Sequence, residues 1–314
     1  MTFKKLVKSI CYDDYWKFAY YRQEKFYASL SGTAFDDDGI LNTYKFTNCY
    51  RVLDRTSQFL IKSVIYDKKR SPADTFFRII LFKLFNKIET WIELEKQVGE
   101  ICISNYNEAH YGQILNDIKS SGRAIYSAAY IMPSGKSEFG SSVKHENNLK
   151  LISYIIKTEL QHRIWELKHL KDAYNTLLSI PTLGKFLAFQ YAVDLGYSEY
   201  SIFTEDQFVV AGPGAIRGLA KCFPASRASN AEWIIQNITD IQEEEFARLG
   251  LKFRHLNNRR LQLIDCQNLF CEIDKYLRVA RPEFGKLGAR IKQKYTQNTH
   301  PISFFLPPKW HASI

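Results

Sequence analysis

The stretch 178-LSIPTLGKFLAFQYAVDL-195 decides how this chain is read. It runs from the apolar end of one helix through a turn bounded by Pro181 and Gly184 into a second apolar helix. A helix begun at such a turn presents backbone N–H groups without intrahelical partners and the positive end of its dipole, which together suit a phosphate. A Pro/Gly joint between helices also serves plain structure, so the surrounding sequence has to separate the two readings.

Outward from the hairpin, helical periodicity dominates. The segments 53-LDRTSQFLIKSVIY-66, 75-TFFRIILFKLFNKIETWIELEKQV-98 and 147-NNLKLISYIIKTELQHRIWELKHL-170 repeat apolar residues at i, i+3, i+4 and i+7. Alternating, strand-like runs are rare and short, and the expected class is all-α. Gly, Pro and Ser cluster at Asp36–Gly39, 132-MPSGKSEFGSS-142 and 210-VAGPGA-215, the strongest breaks. Three regions are expected: a helical arm over 1–40, a main domain over 41–285, and a basic, proline-containing tail over 286–314.

Composition narrows the function classes. A chain of 314 residues with 46% hydrophobic and 15% aromatic content can bury a substantial core. Its longest apolar run, 76-FFRIILFKLF-85, is interrupted by Arg78 and Lys83 and is too short to cross a bilayer. The first residues contain no apolar h-region, so a cytoplasmic location is expected. Forty-three Lys and Arg against 33 Asp and Glu favour a polyanionic partner.

Six scattered cysteines contain no C-x-x-C, and the seven histidines, among them His145, His255 and His300, form no metal-ligand spacing. No metal and no cofactor is expected. Nothing matches G-x-x-x-x-G-K-[ST], which weighs against an ATP-dependent kinase.

Ile180, Pro181, Leu183, Gly184 and Ala188 fit an h-P-x-h-G-x-x-x-A pattern in order. With 76-FFRIILFKLFNKIETW-91, 121-SGRAIYSAAYIM-132, 203-FTEDQF-208 and 261-LQLIDCQNLFCEIDKYLR-278 around it, the chain resembles the helix-hairpin-helix DNA glycosylase superfamily. That resemblance implies two helical lobes with a cleft, and an aspartate after the hairpin that opens the next helix. Asp206, 22 positions after Gly184, is the match. Phe186 stands where bifunctional members carry a lysine, with Lys185 one place early, which implies a monofunctional site without lyase activity.

Four segments carry a closer likeness: 44-YKFTNCYRVLDRTSQFLI-61, 78-RIILFKLFNKIETW-91, 126-YSAAYIMPSG-135 and 208-FVVAGPGAIRGL-219. Together they are similar to the family of α-glutamyl/putrescinyl thymine pyrophosphorylases, related to the helical domain of 5-hydroxymethyluracil DNA kinases. The resemblance implies action on hypermodified bases in double-stranded DNA.

The candidate residues follow from the chemistry each class needs. Asp206, with Glu205 as rival, is placed to stabilise a cationic sugar and orient water, unless it merely caps a helix. Asp54 is a further candidate carboxylate, beside Arg55 on an otherwise apolar helix, where a structural ion pair is the ordinary alternative. Asn48, Tyr50, Arg55, Asn86, Glu89, Trp91 and Tyr130 are expected around a flipped base. Gly184 and Lys185 in the hairpin, and Gly212, Gly214 and Arg217 in the second glycine turn, are expected on the DNA backbone, ahead of basic residues such as Arg290 and Lys292.

The resulting expectation is a monomeric, monofunctional DNA glycosylase that flips and excises a hypermodified pyrimidine, such as glucosylated 5-hydroxymethylcytosine, in defence against phage. The alternatives are a transferase that replaces pyrophosphate on a 5-methyl-modified thymine with an amino acid or amine, and a non-catalytic reader of modified DNA.

Overall fold

The computed structural model describes residues 3–35, 39–284, 291, 293–296 and 303–314. Of the sequence expectations, Asp36, Arg290, Lys292 and His300 lie outside the described residues. Among the described residues the chain is all-helical; β-structure is confined to isolated bridges such as Tyr44 to Lys294. No helix among them is long and apolar enough to cross a membrane. The chain divides into two compact units.

One unit comprises Met1–Asp54, Phe208–Phe304 and Trp310–Ile314. Its axis is the Leu263–Ala280 helix, whose Ile264, Leu269, Phe270, Ile273 and Leu277 are buried. The N-terminal Cys11–Ser31 helix is part of this core: Tyr15 and Trp16 are fully buried, with Tyr15 stacked on Phe270 at 4.3 Å and Trp16 set edge-on to Phe246 at 5.0 Å. Against the axis lies the Pro213–Cys222 helix, at backbone contact through Gly214 and Gly218. Cys11, Cys49, Cys222 and Cys266 are buried free thiols.

The second unit comprises Arg55–Gln207 and Phe305–Lys309. Its centre is the Pro72–Phe85 helix, started by the Ser71 hydroxyl, which accepts from Asp74 N at 3.0 Å, with proline in the first turn. Every residue from Thr75 to Phe85 is buried, so this helix is covered on all sides. The periodic run 75–98 is two helices, because Asn86 takes a left-handed conformation (φ 48°) and restarts the chain as Ile88–Val98. Likewise 147–170 breaks after Lys157, where Glu159 has φ 55°. The run 53–66 becomes a short α-helix, Arg55–Phe59, continued as a π-helical turn over Leu60–Ile65.

The fully buried Arg78 ties this turn down by donating to the carbonyls of Val64 at 2.9 Å, Ser63 at 3.1 Å and Ile101 at 3.1 Å. Those carbonyls would otherwise be buried acceptors without helix partners.

Candidate functional site

The hairpin forms as the sequence indicates, between the Leu170–Leu178 and Lys185–Leu195 helices. Its strain falls on Thr182, a β-branched residue at φ 71°, rather than on Gly184, whose φ is −74°. Gly184 instead supplies open space: a Cβ there would meet nothing within 4 Å. Gly184 and Lys185 are both exposed at the start of an 11-residue helix. A groove of about 550 Å³ runs along this turn, walled by Leu178–Gly184 and by Pro133, Ser134, Gly135, Ser137 and Glu138. Asn147 fixes the second wall, donating to the Ser134 and Ser141 carbonyls at 2.9 and 2.8 Å.

Within the same unit a polar cluster is enclosed by apolar helices. Lys83, in the last turn of Pro72–Phe85, reaches Asp194 Oδ2 at 3.0 Å, and both side chains are almost completely buried. Lys83 also donates to Asn86 Oδ1 at 2.8 Å, and Asn86 Nδ2 donates to Ser127 Oγ at 3.2 Å. The ring of Tyr130 lies over the Lys83 ammonium, 4.4 Å from centroid to Nζ, and stacks nearly parallel on Phe186 with centroids 5.9 Å apart. Tyr130 is itself at φ 55°, rare for a bulky residue. A full ion pair in a low-dielectric interior requires close geometry and further hydrogen bonds to offset desolvation, and this cluster has both.

Asn86 and Tyr130 are thus brought together as expected from sequence, but their companions Lys83, Asp194, Ser127 and Phe186 were not among the candidates. The signal available was one lysine and one aspartate inside helices otherwise apolar on every face. Tyr126 flanks the cluster, stacked on Phe85 at 5.2 Å, with its hydroxyl accepting from Asn148 at 2.7 Å and Lys144 over its ring at 4.3 Å.

The remaining candidates of this unit are dispersed. Trp91 is core, packed under Arg78 (4.8 Å) and edge-on to Phe82. Glu89 projects outward beside Lys87 at 3.4 Å; its own backbone hydrogen bond, then Lys87, holds its carboxyl below the usual range. Arg55 is exposed. Asp206 does not open a helix: it is an exposed turn residue accepting from the Thr204 hydroxyl, and the next helix starts only at Pro213. Glu205 is buried. Gln207 turns back to accept from Leu170 N at 3.0 Å and thereby caps the hairpin's first helix.

In the other unit, Asp54 is not helical either; it follows the Arg51–Leu53 turn in extended backbone. Its carboxylate accepts from Asn48 N at 2.8 Å, while Asn48 Oδ1 accepts from Arg22 at 2.6 Å and Asn48 Nδ2 donates to the Leu53 carbonyl at 2.7 Å. Burial pushes the Asp54 carboxyl up to about 7, outweighing the Asn48 N–H and Arg22, which pull it down. Tyr50 is fully buried, its hydroxyl donating to the Arg259 carbonyl at 2.8 Å, so its ring is not presented to solvent. Gly212 caps the Pro213–Cys222 helix, whereas Gly214 faces Cys271, and Arg217 pairs with the buried Asp274 at 3.1 Å. The glycines of this turn therefore have a packing reason.

The Asp54 proton has a measurable consequence. The folded chain binds it more tightly than the unfolded chain, whose carboxyl has the ordinary value of 3.8, so Asp54 favours folding most at low pH. That contribution is lost as pH rises from about 3.8 through about 7. Asp54→Asn, always neutral, is expected to gain stability relative to the parent between pH 5 and pH 8, read from urea midpoints. An equal difference at both pH values would refute the raised carboxyl.

A helical unit with an exposed hairpin and an enclosed cation beside stacked rings defines a class of ligand-binding helical protein. The chain belongs to the family described as "5-hmdU DNA kinase, helical domain", whose profile matches residues 9–286. It is 27% identical over 291 residues to a 5-hmdU DNA kinase of Bacillus phage SP10, covering 86% of this chain and 45% of that protein. The chain therefore spans about half the length of that relative. No solved structure matches it.

These likenesses overturn the expectation of a DNA glycosylase. The family and the relative are named for a kinase, a group-transfer enzyme, and not for a hydrolase of the base–sugar bond. They also bear on the missing phosphate-binding loop: the family matched is the helical domain of such a kinase, which the want of that loop does not exclude.

Proposed function

We propose that this chain is a base-handling helical module of DNA hypermodification. It binds DNA, takes hold of a thymine-type nucleotide substituted at its 5-methyl carbon, and supports group transfer at that substituent with the base–sugar bond left intact. The observation that carries this reading is the family match across residues 9–286. Two structural features support it. The hairpin sets Gly184 and Lys185 at an open helix start beside a groove, the arrangement a helix-hairpin-helix protein uses on a DNA backbone. Asn86, Tyr130 and Lys83 then supply hydrogen bonding, a ring and a cation for a modified base. In the sequence as it stands there is no Walker-type loop, so the reading gives this chain the base rather than the nucleoside triphosphate.

The test is to incubate the purified chain with duplexes carrying 5-hydroxymethyluracil or its phosphorylated form, with ATP or with an amine and amino-acid mixture. Nucleosides are then released enzymatically and weighed by mass spectrometry, and parallel strands are treated with alkali. A nucleoside altered in mass at its base, on intact strands, supports the proposal. Free base with alkali-labile strands, or no altered nucleoside under any condition, overturns it.

A further inference from the structure

We propose that Tyr130 occupies the seat of an extrahelical pyrimidine: the base replaces the Tyr130 ring on Phe186, and Lys83 receives a phosphorylated 5-hydroxymethyl group. This deepens the reading above and rests on it.

The argument begins with the backbone. Ser127 is anchored by its N–H, which donates to the Phe85 carbonyl at 3.0 Å, and Met132 is buried with its sulfur accepting from Tyr191 OH at 3.1 Å. Between these anchors Ala128, Ala129 and Ile131 are exposed, and Tyr130 is the residue that folds inward, at the cost of a positive φ. A side chain held in by stacking alone, on strained backbone, between two fixed points, is built to leave. Phe186, its partner, keeps intermediate exposure. The segments that follow Tyr130 and precede Phe186 also form the walls of the 550 Å³ groove, so a strand lying in that groove delivers its nucleotide to the ring pair.

Selectivity follows from what lies beneath. Displacing Tyr130 removes an aromatic face from the Lys83 ammonium. A thymine or hydroxymethyluracil ring is electron-poor and returns little to that cation. An anionic phosphoryl group returns a charge-assisted hydrogen bond, roughly twice as strong as a neutral one. Asp194 and Asn86 hold the ammonium in place for it, at 3.0 and 2.8 Å.

The experiment measures binding of the full chain, by fluorescence anisotropy, to oligonucleotides carrying thymine, 5-hydroxymethyluracil or 5-phosphoryloxymethyluracil at one position. The phosphorylated base is expected to bind about tenfold tighter than thymine. Tyr130→Gly, which relieves the positive φ and opens the seat, should tighten the phosphorylated oligonucleotide selectively. Phe186→Leu should weaken it about tenfold, the loss of one stacked base. Lys83→Met combined with Asp194→Asn, a charge-neutral exchange, should abolish the preference while leaving thymine binding in place; Tyr130→Gly and Phe186→Leu decide the matter if that variant does not fold.

Equal affinity for the three oligonucleotides, or a preference unmoved by Tyr130→Gly and Phe186→Leu, overturns the seat. Group transfer that proceeds normally in those variants refutes the seat and spares the function. A Tyr130-dependent preference without any group transfer does the reverse.

Discussion

Lys83→Met is expected to lower the stability of the folded chain by about 3–5 kcal/mol, and Asp194→Leu by a similar amount. The reason is asymmetry. Lys83 and Asp194 lie 3.0 Å apart, with 3% and 1% of their side-chain surface exposed, so removing either partner leaves the other charge in a medium that cannot solvate it. Replacing both removes the cause along with the contact, and the double variant should recover most of the loss. Urea midpoints for parent, both single variants and the double variant give the coupling directly. Single variants that cost less than about 1 kcal/mol, or a double variant whose cost is the sum of the two, would show that the pair is solvated in solution.

The same two residues mark where sequence reading succeeds and fails. Helix type was legible wherever apolar residues kept a 3.6-residue period, because burial of one face is what that period encodes. The hairpin was legible too, from Pro181 and Gly184. Helix ends were not. Asn86 and Glu159 stop their helices by entering left-handed backbone, a choice made by tertiary contacts such as the Lys83 and Ser127 bonds to Asn86, and one that leaves the period of flanking residues unchanged.

For the site, Lys83 and Arg78 read as interruptions in an apolar run, evidence against a membrane span. In the fold they are its buried cations, Arg78 closing three carbonyls and Lys83 meeting an acid 111 positions away in sequence, which spacing alone does not connect. Asp206 shows the opposite error. Its place in the order of motifs pointed to a helix start, yet Gln207 is spent on capping the previous helix and Pro213 sets where the next begins. Order along the chain carried the family; it did not carry the residue-by-residue geometry.

Glycine gives the second large effect, and its two uses here are separable by experiment. At Gly218 an added Cβ would fall inside the Phe270 carbonyl group, with the carbonyl carbon at 2.8 Å and Ile273 Cγ2 at 3.3 Å. Gly214, one turn earlier on the same face, would meet Cys271 Cβ at 3.2 Å. Backbone cannot rotate aside as a side chain can, so Gly218→Ala must separate the Pro213–Cys222 and Leu263–Ala280 helices and strip contacts along their length. The expected loss is about 3 kcal/mol, at the upper end for overpacking, despite the gain in helix propensity from alanine. Gly184→Ala provides the contrast, because its Cβ would enter open space at a φ of −74°, and its stability should change by no more than about 0.5 kcal/mol. If Gly218→Ala unfolds at the same denaturant concentration as the parent, the two helices are not at backbone contact. If Gly184→Ala alone weakens DNA binding at unchanged stability, the open face of the hairpin is where a phosphate approaches.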